Sequence, residues 1–151
     1  MAEGCEICER IARFTPGHPY VVAELETGYA VLGDNQTYEG YTIFLAKRCV
    51  PELHLLPRGE RSTFLEEMAT VAEAVFRAFS PRKLNYELLG NGVPHLHWHL
   101  FPRRDEDPLP GWPIWNNPQF LSPQPKIDRG RLDELRARLQ RALSEVRGTI
   151  P

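Results

Sequence analysis

Five histidines occur in 151 residues, and three of them alternate in His95-Leu96-His97-Trp98-His99-Leu100-Phe101. Alternate side chains of a β-strand share a face. A strand here therefore projects His95, His97 and His99 together and leaves Leu96, Trp98 and Leu100 for a core. Packing accounts easily for one such histidine and poorly for three. Two chemistries suit the set. One is metal ligation, since alternating histidines build catalytic zinc sites, although Leu100, Phe101, Pro102 and Arg103 supply neither a further ligand nor a general-base carboxylate. The other is attack on phosphorus. An imidazole with an unperturbed pKa of about 6.5 is largely neutral at neutral pH. A hydrogen bond at one ring nitrogen leaves the other free to attack, and a neighbouring histidine can donate to phosphate oxygens.

The cysteines are a second candidate. Cys5-Glu6-Ile7-Cys8 is a C-x-x-C, and Cys49 is the third thiol. Three cysteines cannot all pair within one chain, and in a reducing compartment a C-x-x-C points to a metal or redox site. Lys plus Arg number 18 against 20 Asp plus Glu, a net charge of −2. That balance argues against a dedicated nucleic-acid binder, which shows a basic stripe, while a local basic pocket remains open. No apolar run approaches the roughly 20 residues that span a bilayer. Residues 1–13 carry acids and cysteines, not a basic region followed by an apolar stretch, so no signal peptide is expected. The expected compartment is the cytoplasm.

The elements that must hold these residues emerge from periodicity. Tyr20 to Leu25 and Tyr29 to Leu32, split by Glu26-Thr27-Gly28, read as a hairpin. Tyr41 to Ala46, Leu84 to Leu89 and His95 to Phe101 read as further strands. From Arg61 to Phe79 the residues Phe64, Leu65, Met68, Val71, Ala72, Val75, Phe76 and Phe79 recur at helical spacing, and Ser80-Pro81 ends the helix. A C-terminal helix over residues 129–147 has Leu132, Leu135, Leu139, Ala142, Leu143 and Val146 on one face. Residues 104–128 form an irregular but ordered segment, because Trp112, Trp115 and Phe120 are atypical of disorder. The expectation is one domain over residues 1–151, its core about residues 5–103. The class is α+β with a mainly antiparallel sheet.

The run His95-Leu-His97-Trp-His99-Leu-Phe resembles the histidine triad signature, His-φ-His-φ-His-φ-φ with φ apolar, that names the HIT superfamily. Pro102-Arg103 is similar to the dipeptide just after the triad in its hydrolase members. Asn35 and Gly40-Tyr41-Thr42-Ile43-Phe44-Leu45-Ala46-Lys47-Arg48 resemble the upstream segment Asn-x-x-x-x-Gly-His-x-x-φ-φ-Pro-Lys. The resemblance covers about two thirds of the chain. It implies a HIT-like fold, a five-stranded sheet with one long helix and an additional C-terminal helix, working as a homodimer. It also implies nucleotidyl transfer to water, with His97 the nucleophile, His99 the contact to the α-phosphate and the His95 carbonyl orienting His97. Asn35 would meet the ribose and Asn91 the phosphate. Apart from the resemblance, Arg103 is a candidate for the β- or γ-phosphate because it lies just past the catalytic strand. Tyr41 stands where the family has His, Ala46 where it has Pro, and Gly33 where an acid is usual. The first two read as peripheral; the third bears on ribose recognition.

The same resemblance extends to members with a C-x-x-C and a structural zinc. Their remaining ligands imply Cys5, Cys8, Cys49 and His95 here, a Cys3His set suited to zinc, with His54 the alternative to Cys49. A divalent cation bound with the substrate polyphosphate is a further expectation. The expected partner is a nucleotide, with no nucleic acid and no membrane. Leu100-Phe101-Pro102-Arg103 tilts the substrate toward dinucleoside polyphosphates. A nucleoside phosphoramidate hydrolase, a nucleotide-binding adaptor with incidental hydrolysis and a three-histidine metalloenzyme stay open. Trp112 and Trp115 read as core or interface residues.

Overall fold

The apolar runs fold as strands β1 (Val21–Glu24), β2 (Gly28–Leu32), β3 (Thr42–Ala46), β4 (Lys83–Glu87) and β5 (His97–Arg103). In this computed structural model, which describes residues 4–148, they form one five-stranded antiparallel sheet in the order β1-β2-β3-β5-β4. Among the described residues four α-helices accompany it: α1 (Glu6–Ile11), α2 (Arg58–Phe79), α3 (Pro118–Leu121) and α4 (Arg129–Gly148). The class is α+β with an antiparallel sheet, one long helix and a C-terminal helix. Among the described residues no helix is long and apolar enough to cross a membrane.

The two faces of the sheet differ in what covers them. Ala30, Leu32, Phe44, Ala46, Leu96 and Leu100 pack beneath α2 and α4, against Phe64, Val71, Val75, Leu135 and Leu139. Phe44 and Phe64 stack with ring centroids 4.9 Å apart. The hairpin between β1 and β2 is tied to α2 by Glu67, which accepts from the Glu26 and Thr27 amides at 2.7 and 2.9 Å and from the Thr27 hydroxyl. The other face carries two smaller clusters. Val31 and Leu45 pack with Ile7 of α1; Tyr38, Tyr41, Phe101 and Ile114 pack with Trp115 and Phe120. Covered at both ends and open between them, this face has room for a ligand.

Several boundaries differ from the expectation. Helix α2 starts at Arg58, directly after Pro57, whose fixed φ of −52° suits a helix entrance; residues 58–61 are polar and carry no periodicity to reveal it. It ends at Ser80, a left-handed residue (φ 45°) whose N–H bonds the Phe76 carbonyl at 2.9 Å. The lead-in is helical: Cys5 caps α1, its sulfur 3.4 Å from the Cys8 amide. Segment 104–128 contains α3 and a 3-10 turn at Ile114–Asn116. The last strand begins at His97, not His95, with consequences for the site.

Candidate active site

Strand β5 is held on one side by β3, with His97 opposite Leu45 and His99 opposite Ile43. Leu100 packs into the helix-covered core, with Trp98 against it, so His97 and His99 face the open side. They border a cleft of about 1000 Å³ lined also by Ile43, Leu45, Val93 and Phe120, with Arg10, Arg13 and Lys126 at its rim. That volume is at the upper end of small-molecule pockets, about 300–1,000 Å³.

The protons of the site can be placed by their partners. Nδ1 of His97 lies 2.6 Å from the His95 carbonyl oxygen. A carbonyl only accepts, so Nδ1 carries the hydrogen and neutral His97 bears its lone pair on Nε2. That nitrogen is 3.0 Å from Nε2 of His99, the rings lying 4.7 Å apart and nearly perpendicular. His99 in turn meets the Tyr41 hydroxyl through Nδ1 at 2.7 Å and packs edge-on against Trp115 at 5.4 Å. Burial, with repulsion from His97 second, pulls the His99 pKa down to about 4. A neutral lone pair beside a neutral N–H donor can attack an electrophile while hydrogen-bonding one of its oxygens.

His95 departs from the expectation drawn from strand parity. It does not project beside the other two: it sits in the bend before β5, fully buried, and its ring turns to the cysteines. Nε2 donates to the Ala46 carbonyl at 2.8 Å, which leaves the Nδ1 lone pair 3.2 Å from Cys5 Sγ and 3.6 Å from Cys8 Sγ. Burial first, and repulsion from His97, hold its pKa below the ordinary value against that carbonyl contact. One residue thus faces two ways, its carbonyl toward His97 and its imidazole toward sulfur.

The ligand atoms of Cys5, Cys8, Cys49 and His95 all lie within 4.8 Å of one another. Tetrahedral zinc with Zn–S of about 2.3 Å spaces its donors by roughly 3.8 Å, so this Cys3His cluster could hold a metal ion after small adjustment. The thiol chemistry agrees. Burial opposes ionisation of Cys5, but hydrogen bonds from Cys8 and Cys49 outweigh it and lower its pKa. Burial, and donation to its neighbours, push Cys49 up to about 11. Ionising all three thiols would set like charges side by side, and a bound dication would offset that repulsion. His54 lies on the 3-10 turn Leu53–Leu55, outside the cluster.

The residues expected to hold substrate fare differently. Asn35 lines the cleft, but its amide is committed, donating to the Phe120 carbonyl at 3.0 Å and accepting from Thr37. Asn91 is exposed in the loop before β5 and does not line the cleft. Arg103 is a correction. It is 4% exposed, and its guanidinium is used by Asp107, Asn85 and the carbonyls of Trp112 and Leu109 at 2.8–3.2 Å. Position 103 shares the inward parity of His97 and His99, but segment 104–128 folds over it. Tyr41, read as peripheral, is in the site. So is Trp115, whose indole donates to Glu87. The aromatic density of 112–120 signalled a covered surface without saying which.

The HIT domain pattern matches residues 18–106. The chain is similar to adenosine 5'-monophosphoramidase HNT1 of Saccharomyces cerevisiae, 30% identical over 117 residues that span 72% of this chain and 70% of that protein. A histidine triad protein from Marinobacter aquaeolei VT8 is similar in structure, with a TM-score of 0.75 and 25% identity over 91% of this chain and 95% of that one. A zinc-bound histidine triad family protein from Mycobacterium smegmatis shares the fold, with a TM-score of 0.68 and 19% identity over 97% and 98% of the two chains.

Proposed function

The chain belongs to the HIT domain family, and on that premise we propose that it is a nucleotide hydrolase whose nucleophile is His97. The reading rests on one observation: the Nδ1–H of His97 is held by the His95 carbonyl, which leaves the lone pair on Nε2, 3.0 Å from Nε2 of His99, where both rings line the cleft. In the first displacement Nε2 forms a bond to the α-phosphorus while the bond to the leaving group breaks. The carbonyl stabilises the positive charge that the ring gains, and His99 donates to a non-bridging oxygen. Water then attacks the same phosphorus, the P–N bond breaks, the water's proton is lost to solvent, and neutral His97 returns.

The substrates proposed are dinucleoside polyphosphates and related nucleotidyl conjugates. The size of the cleft and the cations Arg13 and Lys126 that line it support them, with a divalent cation accompanying the polyphosphate; Arg10 lines it too but is paired with Asp34 at 3.0 Å. Likeness to the yeast monophosphoramidase favours a second reading, nucleoside phosphoramidates. Chromatography of diadenosine polyphosphates and adenosine phosphoramidate incubated with the protein separates the two. Wild type turns over one class and leaves a mass increase of one nucleoside monophosphate on quenched enzyme; His97→Ala does neither. Nucleotide binding without turnover by either protein would leave an adaptor.

The metal proposed for Cys5, Cys8, Cys49 and His95 is zinc in a structural role. It would pin α1 and the bend before β5 together and thereby hold the His95 carbonyl in place, contributing on the order of 10 kcal/mol in small zinc domains. Free thiols at all three positions suit a reducing compartment such as the cytoplasm. A homodimer along the edge strand β4, where Tyr86 and, just past the strand, Leu89 are exposed, completes the proposal; sedimentation tests it.

A further inference from the structure

Tyr41 stands at a position where the family pattern has histidine, and its side chain is 5% exposed. Its ring stacks on Phe101 at 4.0 Å with an interplanar angle of 10°, and its hydroxyl reaches Nδ1 of His99 at 2.7 Å. Two arrangements of protons fit that contact. If His99 donated from Nδ1, its Nε2 would carry a lone pair and would face the lone pair of neutral His97 across 3.0 Å. That arrangement is repulsive. If the phenol donates, Nε2 of His99 carries the hydrogen and both contacts are hydrogen bonds.

We propose that Tyr41 is a positioning residue: its hydroxyl donates to Nδ1 of His99 and so fixes the tautomer with the proton on Nε2, aimed at His97 and at the oxygens of the reacting phosphate. Burial raises the Tyr41 phenol well above its ordinary pKa, so it remains a donor. A donor without charge at His99 then hydrogen-bonds the phosphate without competing with His97 for a proton. The backbone around Tyr41 is shaped for this ring. A Cβ at Gly33 would lie 2.1 Å from Tyr41 Cδ1, so the missing side chain at position 33 and the aromatic one at 41 belong together. The Gln36 amide ties the two carbonyls, donating to each at 2.8 Å.

The catalytic half of the inference rests on the hydrolase reading; the tautomer does not. Long-range proton–nitrogen NMR of histidine-labelled protein without ligand reads it directly. The expected wild-type spectrum shows His99 protonated on Nε2, and protonation on Nδ1 overturns the proposal. Tyr41→Phe keeps the ring and the stack but removes the donor. It is expected to show a mixture of His99 tautomers and a kcat lower by about five- to tenfold, the effect of one hydrogen bond, with KM changed less than twofold. An unchanged tautomer or an unchanged kcat in a folded Tyr41→Phe protein overturns it. Should that variant fail to fold, the wild-type spectrum still decides. Turnover surviving in His97→Ala would remove the hydrolase mechanism alone and leave the tautomer standing.

Discussion

Replacing Gly33 by alanine sets two opposed effects against each other, and the structure decides between them. Gly33 does not have a positive φ, so the change should restrict the unfolded chain and stabilise the fold by about 0.4–1 kcal/mol. Against this, the new Cβ would lie 2.1 Å from Tyr41 Cδ1 and 2.2 Å from Cε1, well inside the 3.4 Å at which ordinary contact begins. The ring cannot retreat along the sheet. In the order β2-β3-β5 it lies between Gly33 and Phe101, and Phe101 is already stacked on it at 4.0 Å. Overpacking costs about 1–3 kcal/mol, and approaches of 2.1 and 2.2 Å to a ring with no room to retreat belong at the upper end, so the net change is a loss of about 2 kcal/mol. The tilted ring also draws the hydroxyl from His99, and kcat falls with stability. Urea unfolding measures the first effect as a lower midpoint at constant slope. A second substitution, Tyr41→Leu, should cost less in the Gly33→Ala background than in wild type, because the overlap is shared. A midpoint equal to or above that of wild type would refute the steric argument and the pairing of Gly33 with Tyr41.

Three other outcomes are expected. Cys49→Ser should lower bound zinc, measured by a chromogenic chelator, and lower Tm; His97→Ala should leave zinc content unchanged, and a fall would favour a three-histidine metal site. For His99, with a folded pKa of about 4 against 6.5 unfolded, the unfolded chain binds more protons between these values. The stability it contributes is therefore complete above pH 6.5 and lost as pH falls toward 4, with a ceiling of about 3 kcal/mol before its partial exposure is discounted. Urea midpoints against pH should show the slope in wild type and a weaker one in His99→Gln; equal slopes would sink the assignment. Asp107→Asn should destabilise the protein by about 3 kcal/mol, since Arg103 and Asp107 pair at 3.0 Å with side chains 5% and 9% exposed. KM should stay unchanged, and a several-fold rise would return Arg103 to substrate binding.

Periodicity in the sequence was enough for the sheet, for α2 and α4, and for the face on which His97 and His99 lie, because strand parity and helical spacing are local properties. The set Cys5, Cys8, Cys49 and His95 comes from the family resemblance, which leaves His54 as an alternative to Cys49; the fold brings the ligand atoms of those four within 4.8 Å of one another. Tertiary structure decided the rest. Parity treated His95 as the equal of its neighbours, but Ala46 and the cysteines, distant in sequence, turn its ring away and leave its carbonyl for His97. Nearness to the catalytic strand made Arg103 a candidate for phosphate contact, but segment 104–128 buries it. Tyr41 gains its role from Gly33, just past β2, and from Phe101 on β5, and Asn35 loses a free amide to Phe120. Which hydrogen-bond partner a side chain finds depends on chain segments brought together only by folding, and that no local pattern encodes.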